Sequence, residues 1–254
     1  MLVLVTRPER QATRLNDKLR QQGWQPVSLP VIDIQPLIMP KVLDDLIRQR
    51  WHWLIFISAN AVECALNLAG GDLQCFGTVR VAAIGKSTRA ALNQAGICVD
   101  LTPSERFDSE ALLALTEMQA VQGLSILIIR GQEGRETLAE TLTERGADVF
   151  YWEVYRRVRP AIVNPEVLAQ IEHNDIDVLT VTSVESLENL LAMMPPVLRS
   201  NLYRLPLVVF SERIRQFAEQ AGFARIEVTD EASDDGMVAG IARVLAGALH
   251  QRGI

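Results

Sequence analysis

Short runs of β-branched and aliphatic residues alternate along this chain with longer stretches in which apolar positions recur every three or four residues. The first pattern reads as strand and the second as amphipathic helix. Val3–Thr6 predicts a first strand. Residues 11–22 predict a helix that Gly23 ends as a C′ residue would. Val27–Leu29 predicts a second strand, followed by an extended, proline-punctuated segment from Pro30 to Pro36. Further strands are expected at Leu54–Ile57, Val81–Ile84, Val99–Leu101, Ile126–Ile129, Val149–Tyr155, Val178–Val181, Leu207–Phe210 and Ile226–Val228. Helical stretches separate most of them. Apolar strands alternating with helices imply an α/β fold with parallel sheet covered on both faces.

The chain also repeats itself. VTRPERQATRLNDKLRQQGWQPVSLPVI aligns with IIRGQEGRETLAETLTERGADVFYWEVY, placing Arg7 on Arg130, Leu15 on Leu138, Gly23 on Gly146 and Val31 on Val154. LIFISANAVECAL aligns with LTVTSVESLENLL, placing Ser58 on Ser183. VAAIGKSTRAALNQAGI aligns with VVFSERIRQFAEQAGF, placing Gly96 on Gly222. Three matched segments in one order point to two similar doubly wound halves. They could be two continuous domains divided near Gln122. They could instead be discontinuous, with extended segments crossing between an inserted domain and one built from both chain ends. Crossing is favoured because Pro30–Pro36 and Val149–Arg159 occupy equivalent repeat positions, and both are longer than one strand of a small sheet needs.

Composition narrows the partners. Hydrophobic residues make up 48% of the 254, and the formal net charge is −6. That balance argues against nucleic acid, whose phosphates need a basic face. It leaves room for a small anion held by backbone amides. Cys64, Cys75 and Cys98 are odd in number and form no CxxC, as expected of reduced, buried thiols in a cytoplasmic protein. The N-terminal apolar run is too short for a signal peptide, and no apolar run approaches the roughly 18 residues of a membrane span. His52, His173 and His250 are scattered, so no metal site is expected. The chain lacks GxGxxG after a strand, GxxxxGK[ST], GxSxG and HExxH. Gly131-Gln132-Glu133-Gly134 reads as a strand-to-helix turn.

The remaining chemistry lies where strands run into helix N-termini: Thr6-Arg7, Ser58-Ala59-Asn60, Gly85-Lys86-Ser87-Thr88, Arg130-Gly131, Thr182-Ser183 and Ser211-Glu212. Ligands of doubly wound folds bind beyond the carboxyl ends of the strands, where free amides favour anions. Each Ser or Thr taken singly is also an ordinary helix cap. Arg7 and Arg130 are either ligand clamps or structural partners of an acid on the adjacent helix. Strict alternation along Val149–Arg157 would put Tyr151, Glu153, Tyr155 and Arg157 on one face, opposite Phe150, Trp152, Val154 and Arg156. Tyr155 could then offer a phenol to a ligand, or simply pack.

The stretches VTRP, LIFISANAV, AAIGKSTRAAL, LIIRGQEGRETLAETLTERGADV, EVYRR, TVTSVESLENL and FAEQAGF, in this order over nearly the whole chain, resemble the uroporphyrinogen-III synthase family. The resemblance implies two flavodoxin-like domains joined by a two-stranded linker: residues 1–35 with 157–254, and residues 36–156, with linkers near 30–36 and 153–160. It implies a cofactor-independent lyase. Because only the two crossing segments would join the domains, a monomer is expected. Its substrate would be hydroxymethylbilane, a linear tetrapyrrole crowded with acetates and propionates, and its product uroporphyrinogen III. Water is lost and the last pyrrole ring is inverted through a spiro intermediate. Tyr155 is then the candidate proton donor to the departing hydroxyl. Thr6, Arg7, Ser58, Asn60, Gly85, Ser87, Thr88, Arg130, Gly131, Thr182 and Ser183 become candidate substrate contacts. One turn departs from the pattern: Ser211-Glu212-Arg213-Ile214 puts an acid where a carboxylate would bind, with Arg213 as possible compensation. The competing reading is a non-enzymatic two-domain binder or sensor of a small anionic metabolite, which the fold would serve equally well. A response-regulator-like module would need acids at these strand ends.

Overall fold

The structure, a computed structural model, describes residues 1–161 and 163–251. In chain order the first elements are β1 (Leu2–Val5), α1 (Glu9–Gln21), β2 (Gln25–Ser28), β3 (Asp33–Pro36), α2 (Pro40–Ile47), β4 (Trp53–Phe56), α3 (Ala59–Leu68), β5 (Arg80–Ala83), α4 (Lys86–Gln94), α5 (Ser109–Leu113) and α6 (Thr116–Gln119). They continue with β6 (Ser125–Gly131), α7 (Thr137–Glu144), β7 (Asp148–Val158), α8 (Pro165–Glu172), β8 (Val178–Val181), α9 (Val184–Met193), α10 (Arg199–Arg204), β9 (Leu207–Val209), α11 (Glu212–Ala221), β10 (Ile226–Val228) and α12 (Asp234–Gln251). The chain forms two compact units, Met1–Asp33 with Val158–Ile254, and Ile34–Arg157.

Each unit holds one five-stranded sheet. In the first the order is β2-β1-β8-β9-β10, and its neighbours pair in parallel. In the second it is β5-β4-β6-β7-β3, with β5, β4, β6 and β7 parallel. Counted from β4, the second sheet repeats the 2-1-3-4 order of the first. Its fifth place is filled by β3, which precedes β4 in the chain. Matched positions also share local geometry: Gly23 and Gly146, and Gly96 and Gly222, all have positive φ just past a helix end, the conformation a side chain disfavours.

The second sheet shows why its strands are apolar throughout. Leu54, Phe56, Leu127 and Ile129 point to one face, beneath Ala61, Val62 and Ala65 of α3 and Leu92 of α4. Trp53, Ile55, Ile126 and Ile128 point to the other, beneath Leu112 of α5 and Leu138 and Leu142 of α7. Both faces are covered, so alternation has no polar half. In the first unit, Val3, Val5, Leu15 and Leu19 share a core with Val178, Val208, Met237 and Ile241.

Of the three cysteines expected to be buried, Cys64 is buried but Cys75 and Cys98 are exposed. Two strand expectations also need correction. Val99–Leu101 is no strand: only Leu101 bridges to Ala82. The Asp100 carboxylate accepts the Val81 amide at 2.7 Å, replacing a backbone rung with a side chain. The other is the strict alternation in β7. Arg130 pairs with Glu153 but Gly131 pairs with Tyr155, so Val154 is an extra residue, a β-bulge. Beyond it the faces swap. Tyr151 packs on the α7 side, whereas Tyr155 joins Trp152 and Val154 on the α3 side.

Leu127 is fully buried at the centre of this sheet. Leu127→Ala is expected to cost the second unit about 2–5 kcal/mol, read as an earlier midpoint in chemical denaturation. Ile38→Ala, at a residue 76% exposed, is expected to stay within about 0.5 kcal/mol.

Candidate active site

Helix capping places the two matched serines. Ser58 is the N-cap of α3, its Oγ accepting from the Ala61 amide at 3.0 Å. Ser183 caps α9 in the same way, accepting from Ser186 N at 3.0 Å, with the Ser186 hydroxyl 2.8 Å away. Both keep an extended backbone that leaves the side chain beside the first helical amides. Ser58 has a second partner that Ser183 lacks a counterpart for. Its Oγ lies 3.2 Å from the Tyr155 hydroxyl.

Tyr155 is buried, and its position depends on Gly131. A β-carbon at Gly131 would sit 2.8 Å from Cε2 and Cζ of the Tyr155 ring. The bulge turns the ring over the end of β6, the missing side chain admits it, and Ser58 meets its oxygen. These three residues form one assembly at the carboxyl end of the second sheet. Sequence pattern placed Tyr155 beside Tyr151 and missed this grouping, because a bulge of one residue has no signature in hydrophobic periodicity.

The other strand-end residues divide plainly. Thr6 is buried, and its hydroxyl donates to the Thr180 carbonyl at 2.8 Å, tying two strands together. Thr88 is also buried, while Ser87 is exposed and Gly85 is the N-cap of α4. Asn60 and Thr182 are partly buried at the starts of their helices. Glu212 accepts two bonds from Arg215 Nε, at 2.9 and 3.0 Å. The compensating cation in that turn is therefore Arg215, one helical turn along, and not Arg213.

Both repeat-related arginines have acidic partners. Arg7 Nη1 donates to Asp234 at the start of α12 at 2.5 Å, and its guanidinium lies 5.0 Å from the Phe210 ring. Arg130 is 3% exposed. Its Nε donates to the Gly131 carbonyl at 3.1 Å, its Nη1 to Glu136 at 2.9 Å, and its plane lies 4.6 Å from the Tyr151 ring. Tyr151 donates its hydroxyl proton to the other Glu136 oxygen. The hydrogen bond from Tyr151, then that from Arg130, hold the Glu136 carboxyl below its ordinary range. Burial first, then the bond to Glu136, pushes the Tyr151 phenol up to about 12. Glu136 and Tyr151 were not foreseen as a pair. The signal available was an acid six residues beyond Arg130, across the GxxG turn. Among the described residues, no group of three His, Cys, Asp or Glu side chains could hold a metal ion.

Two outcomes follow from this geometry. Gly131→Ala should force the Tyr155 ring to move, lowering stability by about 1–3 kcal/mol as overpacking does, measured by denaturant unfolding. The Tyr151 phenol is held protonated in the folded chain, so the stability it contributes is whole below the ordinary phenol value of about 10 and is lost as pH rises to about 12. Spectrophotometric titration should lose the phenol step at about 12 in Tyr151→Phe, and Glu136→Gln should move that step down.

The profile of the family described as Uroporphyrinogen-III synthase HemD matches residues 13–239. A uroporphyrinogen-III synthase of Salmonella typhimurium is 35% identical over 246 residues, covering 94% of this chain and 98% of its own. One from Escherichia coli is 33% identical over 242 residues, with the same coverage of each. Among solved structures, uroporphyrinogen-III synthetase from Helicobacter pylori superposes with a TM-score of 0.61 at 14% identity, covering 96% of this chain and 98% of that one. A mutant uroporphyrinogen III synthase from Thermus thermophilus gives 0.55 at 17%, covering 97% and 99%. These structures share the mixed α/β fold with parallel sheets. With the profile spanning most of the chain and relatives above 30% identity matched almost end to end, this chain belongs to the uroporphyrinogen-III synthase family.

Proposed function

We propose that the protein cyclises hydroxymethylbilane to uroporphyrinogen III, with loss of water and inversion of the last pyrrole ring. Membership of the family carries the reaction. The Ser58–Tyr155 pair carries the assignment of the acid. The reading takes the two units as flavodoxin-like domains linked through the segments near 30–36 and 153–160. Each domain offers the turns at the carboxyl ends of its strands. The shared strand order of the two sheets supports it, as does the rule that such folds bind ligands at those ends.

The chemistry asks little of titrating groups. The terminal hydroxyl leaves as water once it takes a proton, which the Tyr155 phenol supplies. The carbon it leaves becomes the electrophile of an azafulvene. The substituted carbon of the last ring attacks it, giving the spiro intermediate, and fragmentation with reclosure inverts the ring. The last ring releases a proton as it regains aromaticity, which restores the phenol, so the balance is hydroxymethylbilane to product plus water. Ser58 stabilises the transient phenolate in two ways. Its hydroxyl can donate to the Tyr155 oxygen, and it caps a helix whose N-terminal dipole favours negative charge. Since unassisted closure yields the non-inverted isomer, the main task of the protein is to hold the chain in the geometry of spiro attack. The backbone amides and hydroxyls at the strand ends are suited to that task. Ser58, Asn60, Gly85, Ser87, Arg130, Gly131, Thr182 and Ser183 are the proposed contacts, with Arg7 and Thr88 as supports of their turns.

Tyr155→Phe removes the oxygen and keeps the ring. Turnover of freshly made hydroxymethylbilane should fall by about a hundred- to ten-thousand-fold, the usual worth of a positioned acid. The melting temperature should change little, because one hydrogen bond of this kind is worth about 0.5–1.5 kcal/mol. Wild-type turnover with an unchanged isomer ratio would return Tyr155 to a packing role.

A further inference from the structure

A cavity of about 170 Å³ lies on the α7 side of the second sheet, at the carboxyl ends of β4 and β6. It is smaller than the roughly 300–1,000 Å³ of pockets that enclose a whole drug-sized ligand, and so suits a side arm rather than a tetrapyrrole. Ile57, Ile128 and Leu138 give it an apolar wall. Arg130, Arg135 and Ser109 line it as well, and none of its lining residues is acidic. An apolar wall beside two cations suits a short alkyl stem ending in a carboxylate.

We propose that this cavity is a subsite for one acetate or propionate arm of the substrate, and that Glu136 occupies the place of that carboxylate when the arm is absent. The subsite rests on the tetrapyrrole reading above. Three observations support it. Arg130 is buried, yet its carboxylate partner Glu136 is half exposed, on the segment leading into α7. A buried cation with an exposed counter-ion can exchange that counter-ion without being left unpaired. Arg135 is 81% exposed and approaches Glu110 only to 3.9 Å, a pair too weak to fix it. It can therefore turn to an incoming carboxylate. Finally, the GxxG turn is built around the guanidinium: Gly131 accepts from Nε, and a β-carbon at Gly134 would lie 2.9 Å from Nη2. The turn thus holds Nε through the Gly131 carbonyl, and the missing side chain of Gly134 leaves the room that Nη2 takes. Tyr151, stacked on the guanidinium and bonded to Glu136, fixes the plane in which the fork is offered.

The test uses the full chain with labelled isoleucine and leucine methyls. Sodium propionate is titrated against propionamide at constant ionic strength. Propionate should give saturable shifts at the Ile128 and Leu138 methyls, and propionamide should not. Arg135→Gln should weaken the propionate response several-fold, and Glu136→Gln should strengthen it. With hydroxymethylbilane, Arg135→Gln should raise KM several-fold. Equal responses to acid and amide, or a propionate response untouched by both variants, overturns the subsite. So does an unchanged KM in Arg135→Gln. If propionate binds as expected but the unaltered chain fails to make the inverted isomer, the carboxylate site stands and the proposed reaction fails. If the isomer forms and propionate does not bind, the reaction stands and the subsite fails.

Discussion

Side chains on a strand alternate with a period of two, so one extra residue reverses every position beyond it. In β7 that residue is Val154. Without it, Tyr155 would lie on the face of Tyr151, beneath α7 and far from the α3 cap. With it, the two tyrosines serve opposite sides of the same sheet edge. Tyr155 meets Ser58 and Gly131, and Tyr151 meets Arg130 and Glu136. The face of the proposed acid is thus set by one backbone irregularity in β7, opposite the end of β6. The bulge holds because Gly131 has no side chain to contest the space and because Gln132 donates its amide to the Tyr155 carbonyl at 2.7 Å.

Much of this arrangement is legible in the sequence, and what is not has a physical reason. The strand and helix pattern, the repeat and the capping roles of Ser58 and Ser183 are local properties, read from periodicity and residue type. Arg7 and Arg130 were legible as strand-end cations, but not the identity of their partners. Asp234 is 227 residues from Arg7, and no spacing rule reaches across that distance. Arg215, rather than Arg213, answers Glu212, because i and i+3 share a helical face and neighbours do not. The false strand at Val99–Leu101 has the right composition. Asp100 undoes it by bonding Val81 with a side chain, a choice that depends on where β5 lies. Tyr155 lies on the face opposite to the one that strict alternation gives it.

The two halves diverge where the chemistry is proposed. Ser58 and Ser183 cap equivalent helices with equal 3.0 Å bonds, so the scaffold of the repeat is kept. Only Ser58 also meets a phenol. Arg7 and Arg130 both end a strand, yet Arg7 anchors α12 while Arg130 lines a cavity. Such divergence fits a repeat in which both copies keep the capped, amide-rich turns and one copy adds the specialised groups.

A chain of net charge −6 is an unexpected host for a substrate crowded with carboxylates, and the resolution lies in length scale. At physiological ionic strength, charge is screened over about 8 Å, so the excess of acids elsewhere acts weakly at a strand-end turn. What decides is the nearest shell. At the proposed subsite that shell is two arginines and a serine with no acid among the lining residues. Nearby Glu136 is itself bound to Arg130 and Tyr151, so it neutralises the buried cation in the absence of ligand and yields it to a stronger fit. An arginine without that internal partner would bind an arm more tightly but would carry the full cost of an unpaired buried charge in the free protein. A resident carboxylate lowers affinity and keeps the empty site stable, and it sets a threshold that an incoming arm must exceed. A substrate with many arms can exceed it, because the arms already bound hold the next at high effective concentration. A lone small acid gains no such help, so propionate alone displaces Glu136 only at a correspondingly higher concentration.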